Sequence, residues 1–112
     1  MSDATHPPDC EAIVTFVSTE EGGRQGPARS GYRPHHQVRD DYLTTGIHEY
    51  IDGEWVHPGE SVRAYITFIT PEVYPQCLWL GRILSVGEGS RVVAKAEIVR
   101  IFNPVLDRDR QA

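Results

Sequence analysis

Between residues 10 and 102 the side chains alternate with a period of two. In 11–17, Ala12, Val14 and Phe16 point one way, with Glu11 and Thr15 on the other side together with Ile13 and Val17. In 61–69, Val62, Ala64, Ile66 and Phe68 alternate with Ser61, Arg63, Tyr65 and Thr67. In 91–98, Val92, Ala94, Ala96 and Ile98 alternate with Arg91, Val93, Lys95 and Glu97. Successive side chains of an extended chain face opposite sides, so this period predicts strands with one buried and one wet face. Val14, Phe16, Val62, Ile66, Phe68, Ala94, Ala96 and Ile98 are the expected inward residues.

Turn residues interrupt the pattern at Glu21-Gly22-Gly23, Gly26-Pro27, Asp52-Gly53-Glu54, Pro58-Gly59-Glu60, Thr70-Pro71 and Gly87-Glu88-Gly89. They leave strands near 10–17, 33–39, 45–51, 61–69, 77–84 and 91–101, a spacing that points to a sandwich or barrel. Pro and Gly break every candidate amphipathic helix. Residues 1–9 and 103–112 read as flexible N- and C-terminal tails around one domain, although Val105 and Leu106 are apolar enough to cover a barrel mouth.

Composition narrows the function classes. The 112 residues suit one domain with its own core. The 39% hydrophobic and 24% charged content is ordinary for a globular protein. No apolar run approaches the ~18–20 residues needed to cross a bilayer, so no membrane partner is expected. The opening segment has no basic or apolar region and is not read as a signal peptide, which makes the cytoplasm the expected location. A net charge of −5 argues against a general nucleic-acid coat. Cys10 and Cys77 are expected to be free and buried rather than bridged.

Glu20-Glu21-Gly22-Gly23-Arg24, then Pro27 and Ser30-Gly31-Tyr32-Arg33-Pro34, resemble the opening of the third domain of elongation factor Tu. Later landmarks fall in the same register: Thr44 to Gly46, Val56-His57-Pro58-Gly59-Glu60, Ile66-Thr67-Phe68-Ile69-Thr70-Pro71, and Gly87-Glu88-Gly89-Ser90-Arg91-Val92-Val93-Ala94. The resemblance covers roughly residues 10–102 and implies an all-β fold, a closed six-stranded antiparallel β-barrel. No Gly-x-x-x-x-Gly-Lys-Ser/Thr phosphate loop is present, so the GTP chemistry of the family is not expected here and no cofactor is implied.

In the family this barrel contacts the T-arm of aminoacyl-tRNA, packs on the GTPase domain and meets the nucleotide-exchange factor. The candidate partner-binding surface carried over from it is Arg24, Arg33, His35, Arg39, Asp40, Asp41 and Arg91. Asp40 and Asp41 replace a Thr pair of the family, on the side where an RNA backbone would lie, and would repel it. The expected role is therefore a non-catalytic binding module for a protein partner, one that is translation-related or recognises elongation factor Tu, with the chain as a decoy or antidote. The alternative is an RNA-binding module that retains part of the tRNA T-arm contact.

The residues themselves offer competing readings. Arg24 and Arg33 can grip phosphate, or tie their loop to the barrel through Glu20 and Glu21. Gly22 and Gly23 can cradle an anion, or supply positive φ to a tight loop. His35 and His36 face opposite sides of a strand and cannot share a metal, which leaves only a cross-strand site with His48 or His57. Asp40 and Asp41 read as a solvated pair guarding an edge strand rather than as acid–base groups. No Ser or Cys has a visible base partner, so no catalytic residue is assigned. Trp55, Tyr65 and Trp79 are candidate interface anchors, with one Trp in the core as the alternative.

Overall fold

The computed structural model describes residues 7–109. The remainder of the expected tails, 1–6 and 110–112, lies outside the described residues. Eight strands form: β1 (Cys10–Phe16), β2 (Ala28–Arg29), β3 (His35–Arg39), β4 (Tyr42–Tyr50), β5 (Trp55–Val56), β6 (Ser61–Phe68), β7 (Ile83–Glu88) and β8 (Arg91–Ile101). Six of them close a barrel in the order β1-β6-β4-β3-β7-β8, every pair antiparallel, with β8 returning to β1. The fold is all-β, as the alternation requires.

The interior is filled by the inward set. Val14, Phe16, Ile66, Phe68, Ala94, Ala96 and Ile98 are buried, joined by Cys10, Ala12, Val38, Leu84 and Val86, while Val62 is only half-buried. Small side chains (Ala12, Ala64, Ala94, Ala96) let the larger rings fit inside a barrel of this strand number. The strict alternation expected of β8 breaks at its start. Between Val86 and Gly87 the register slips, so Val93 faces no partner of its own. That bulge buries Val93 and leaves Val92 exposed at 45%, the reverse of the expected facing.

Each mouth of the barrel is capped. At one end β2 pairs with β5 in a two-stranded flap, Ala28 opposite Val56, and both side chains are buried. This flap was not expected from the sequence, because two-residue strands carry no readable period. The other end is closed by Tyr74, Leu78 and Leu106, all fully buried. Tyr74 packs edge-on against Phe68, ring centroids 6.0 Å apart, and its hydroxyl lies 2.9 Å from that of Thr44.

Several expectations need correction. The strand expected at 77–84 begins only at Ile83. Its first half is a plug: Leu78 N–H donates to the Leu106 carbonyl and Arg108 N–H to that of Leu78. Residues 103–109, expected to be loose, are therefore tied down, and Leu106 covers the mouth while Val105 stays 41% exposed. β4 starts at Tyr42, not at 45, so Asp40 and Asp41 form the turn of the β3–β4 hairpin rather than guarding an edge strand. Neither Trp enters the core; Trp55 is 53% exposed and Trp79 is half-buried. Cys10 and Cys77 are free and buried, as expected.

Candidate functional site

β3 is five residues long and spans about 13 Å. It carries His35 at one end and Arg39 at the other, so the expected partner surface is spread between the two mouths. Arg24, His35 and Arg91 gather beside the β7–β8 turn, and Arg33 is exposed just ahead of β3. Arg39, Asp40 and Asp41 lie at the opposite mouth.

At the first mouth the polar groups are engaged with one another. Arg24 donates through Nη1 to Glu88 Oε2, which also accepts from the Tyr32 hydroxyl. The Arg24 guanidinium sits 4.8 Å from the centre of the Tyr32 ring, and it donates through Nε and Nη2 to the carbonyls of Gly26 and Pro27 at 3.2 and 3.1 Å. Its carboxylate partner is thus Glu88, not the expected Glu20 or Glu21; Glu21 instead accepts from the Ser18 hydroxyl at 2.9 Å. Burial, reinforced by the neighbouring Glu88, pushes the Tyr32 hydroxyl well above its ordinary range. Arg91 Nη1 donates to the Gly23 carbonyl at 3.5 Å, and His35 Nε2 lies 2.8 Å from the Gly89 carbonyl.

Gly22 and Gly23 serve the loop in different ways. Gly22 has φ +100°, the left-handed conformation expected of it. Gly23 does not, but a Cβ there would stand 2.0 Å from the Val17 carbonyl oxygen, so close backbone packing explains this glycine. Both N–H groups are spent on the carbonyls of Thr19 and Ser18, which removes the anion cradle.

Inside the barrel β3 and β4 place two histidines together. His36 and His48 are fully buried, with Nε2 atoms 2.8 Å apart. This is the cross-strand contact left open by the sequence, but it is a hydrogen bond between rings, and no third ligand joins it: among the described residues no three His, Cys, Asp or Glu side chains converge. His57, the other candidate, is at the surface beside Glu60. Burial lowers the His36 imidazole to about 4, opposed by the nearby Thr44 carbonyl, and burial pushes His48 far down as well.

At the second mouth a cleft of about 590 Å³ is lined by Val38, Arg39, Asp40, Asp41, Gln76, Cys77, Trp79 and Arg82. Arg39 Nη2 donates to the Pro75 carbonyl at 2.5 Å, and Arg82 Nη1 donates to that of Cys77. Trp79, named above as a possible anchor, lies under two guanidiniums, those of Arg82 at 4.7 Å and Arg108 at 4.3 Å. Arg82 and Gln76 carried no signal in the sequence, since only the folded plug brings them to β3. Burial lifts the Cys77 thiol above its usual value, with Arg82 and Arg39 pulling against it, and burial holds the Cys10 thiol much higher still. Neither is a reactive thiolate at neutral pH.

No model of a known protein family matches the chain.

Proposed function

We propose that the chain is a non-catalytic protein-binding module, a barrel resembling the third domain of elongation factor Tu that presents a translation-factor-like surface to a protein recognising that factor. Partners of this kind are an exchange factor, a GTPase domain or a toxin, the last met by a decoy or antidote. The resemblance is supported by a convergence. The Gly22-Gly23-Arg24 and Gly31-Tyr32-Arg33-Pro34 segments meet the distant Gly87-Glu88-Gly89 segment in the Arg24–Tyr32–Glu88 cluster.

The observation that carries a protein partner is the outer wall of β7, β8 and β1. Ile83 and Ile13 stand opposite Glu97 from either side, 61% and 37% exposed. Leu80, in the turn ahead of β7, is 66% exposed. Exposed apolar side chains flanking a charged one on the same sheet face suit an interface that mixes apolar and polar contacts. The RNA reading draws less support. Arg24 and Arg91 are turned onto Glu88 and the Gly23 carbonyl, which leaves fewer cations to meet phosphates.

The test is calorimetric titration of the purified chain with the exchange factor of elongation factor Tu and with the GTPase domain of that factor. Saturable binding to one of them, abolished by Ile13→Asp with Ile83→Asp, is the expected result. Failure to bind either, together with tight, salt-sensitive binding of tRNA in a gel-shift titration, would replace this reading by the RNA-binding one.

A further inference from the structure

The cleft at the second mouth carries chemistry that protein docking on the outer wall does not use. Two guanidiniums, those of Arg39 and Arg82, line it. Among the described residues neither makes an ion pair with a carboxylate, although Asp40 and Asp41 line the same cleft. Arg82 is half-buried, and burial lowers its affinity for its proton; Cys77 pulls against this, the like charge of Arg39 acts with it, and Asp40 opposes it least. Two like charges held near each other in a partly desolvated cleft are stabilised by an anion between them.

The backbone holds both arginines in place. Arg39 is anchored to the carbonyl of Pro75 and Arg82 to that of Cys77, the residues on either side of Gln76. Gln76 has φ +58°, and it is the one non-glycine residue with positive φ among those described. Left-handed backbone is costly for a residue with a Cβ and persists where the surroundings require it. Here it accompanies two carbonyls directed at two different arginines, each of which keeps most of its five N–H donors for something else. The Gln76 N–H is itself fixed to the Val105 carbonyl at 2.8 Å, so the C-terminal plug helps to hold the turn.

We infer that this cleft is a binding site for a small oxyanion, the phosphate or carboxylate group of a small molecule, gripped by Arg39 and Arg82 and enclosed by Gln76 and Trp79. Guanidiniums match the planar two-oxygen edge of either group. The volume lies within the range of small-ligand sites. Asp40 and Asp41 oppose the anion and set its affinity low. The site is independent of the outer-wall apolar residues and stands whether or not these bind a protein.

The experiment uses the full chain labelled with ¹⁵N, titrated at low ionic strength with inorganic phosphate, and separately with citrate. Saturable shifts of the Arg39 and Arg82 side-chain Nε–H signals and of the Gln76 amide are expected, and the tighter of the two titrants identifies the preferred oxyanion. Arg82→Gln is expected to weaken binding at least tenfold, and Arg39→Gln similarly. Asp40→Asn with Asp41→Asn is expected to tighten it several-fold. Arg39 is exposed at a strand end, so its variant carries the test if Arg82→Gln does not fold. Absence of saturable shifts at tens of millimolar titrant would overturn the proposal, as would binding unchanged by Arg39→Gln. Weakening by the Asp40→Asn, Asp41→Asn pair would overturn it too, because it would point to a ligand held by its positive charge.

Discussion

His36 and His48 meet ring to ring inside the barrel, Nε2 to Nε2 at 2.8 Å, both fully buried. One of the two must be the donor and the other the acceptor, so the acceptor is neutral, and burial disfavours a charge on the donor as well. Among the described residues Nδ1 of neither ring has a hydrogen-bond partner, so the Nε2–Nε2 contact is what constrains where the protons sit. The expected tautomers are therefore unlike: one ring carries its proton on Nε2 and the other on Nδ1. Two-bond ¹H–¹⁵N correlation spectra of the rings at pH 7 check this; the same tautomer in both rings would refute it.

The same pair makes the fold acid-sensitive. An unfolded histidine takes up its proton near pH 6.5, whereas His36 in the barrel does so only at about 4 and His48 lower still. With the folded values depressed, the unfolded state binds more protons below pH 6.5. The stabilisation is thus fully present above that pH and is lost as pH falls toward 4. Between pH 7 and 5 His36 alone is expected to cost about 2 kcal/mol, with a further loss from His48. Urea unfolding across this range measures it. In His36→Leu with His48→Leu the slope should flatten, with little change at pH 7 because both partners are replaced together.

Gly46 provides room for the His36 ring. A Cβ there would stand 2.7 Å from His36 Cε1 and 3.0 Å from Ile66 Cγ2. Gly46 does not have positive φ, so the conflict is one of volume alone. Gly46→Ala is expected to destabilise by about 1–3 kcal/mol through overpacking. Equal urea midpoints for the variant and the parent chain would show that the rings can move aside.

Phe68 is fully buried between His36, at 5.4 Å, and Tyr74, at 6.0 Å. Its removal opens a cavity bounded by the histidine pair on one side and the plug on the other. Phe68→Ala should cost on the order of 3–5 kcal/mol. A loss below about 1 kcal/mol in denaturant titration would mean that the plug collapses into the space.

Asp9 joins the two chain ends. Its Oδ2 accepts from the Phe68 N–H at 2.7 Å, its Oδ1 from Asn103 Nδ2 at 2.9 Å, and its carbonyl from the N–H groups of Phe102 and Asn103. Asp9→Ala leaves the buried Phe68 N–H unpaired and is expected to cost about 1–3 kcal/mol. Hydrogen exchange at the Phe68 amide should speed up more than at Ala64. Uniform acceleration would indicate global destabilisation without the local tie.

The parts of the fold that were legible in the sequence are those where one strand face is apolar. β1, β6 and the middle of β8 alternate cleanly, and their inward residues follow from spacing alone. β4 does not, because its inward face is Thr44, Gly46, His48 and Tyr50, which reads as polar. No hydrophobic period can flag a buried face built from polar residues and a glycine. The plug escaped for another reason: Leu78 meets the C-terminal segment by a single parallel bridge to Asp107 and by loop hydrogen bonds to Leu106 and Arg108, contacts that depend on both segments folding at once. The candidate surface is read from neighbours along the sequence. Since His35 and Arg39 occupy opposite ends of one strand, a macromolecular partner can span the set whereas a small ligand meets only part of it.

The pairing of β1 with β8 has a kinetic consequence. The first strand cannot acquire its second neighbour until the last has left the ribosome, so through most of synthesis Ala12 and Val14 have only β6 beside them. Closing so long a loop is entropically slow, and the half-made barrel offers two unpaired edges meanwhile. Assembly of this molecule is gated by its final strand, and any premature stop before β8 should yield an open, adhesive sheet rather than a smaller working barrel.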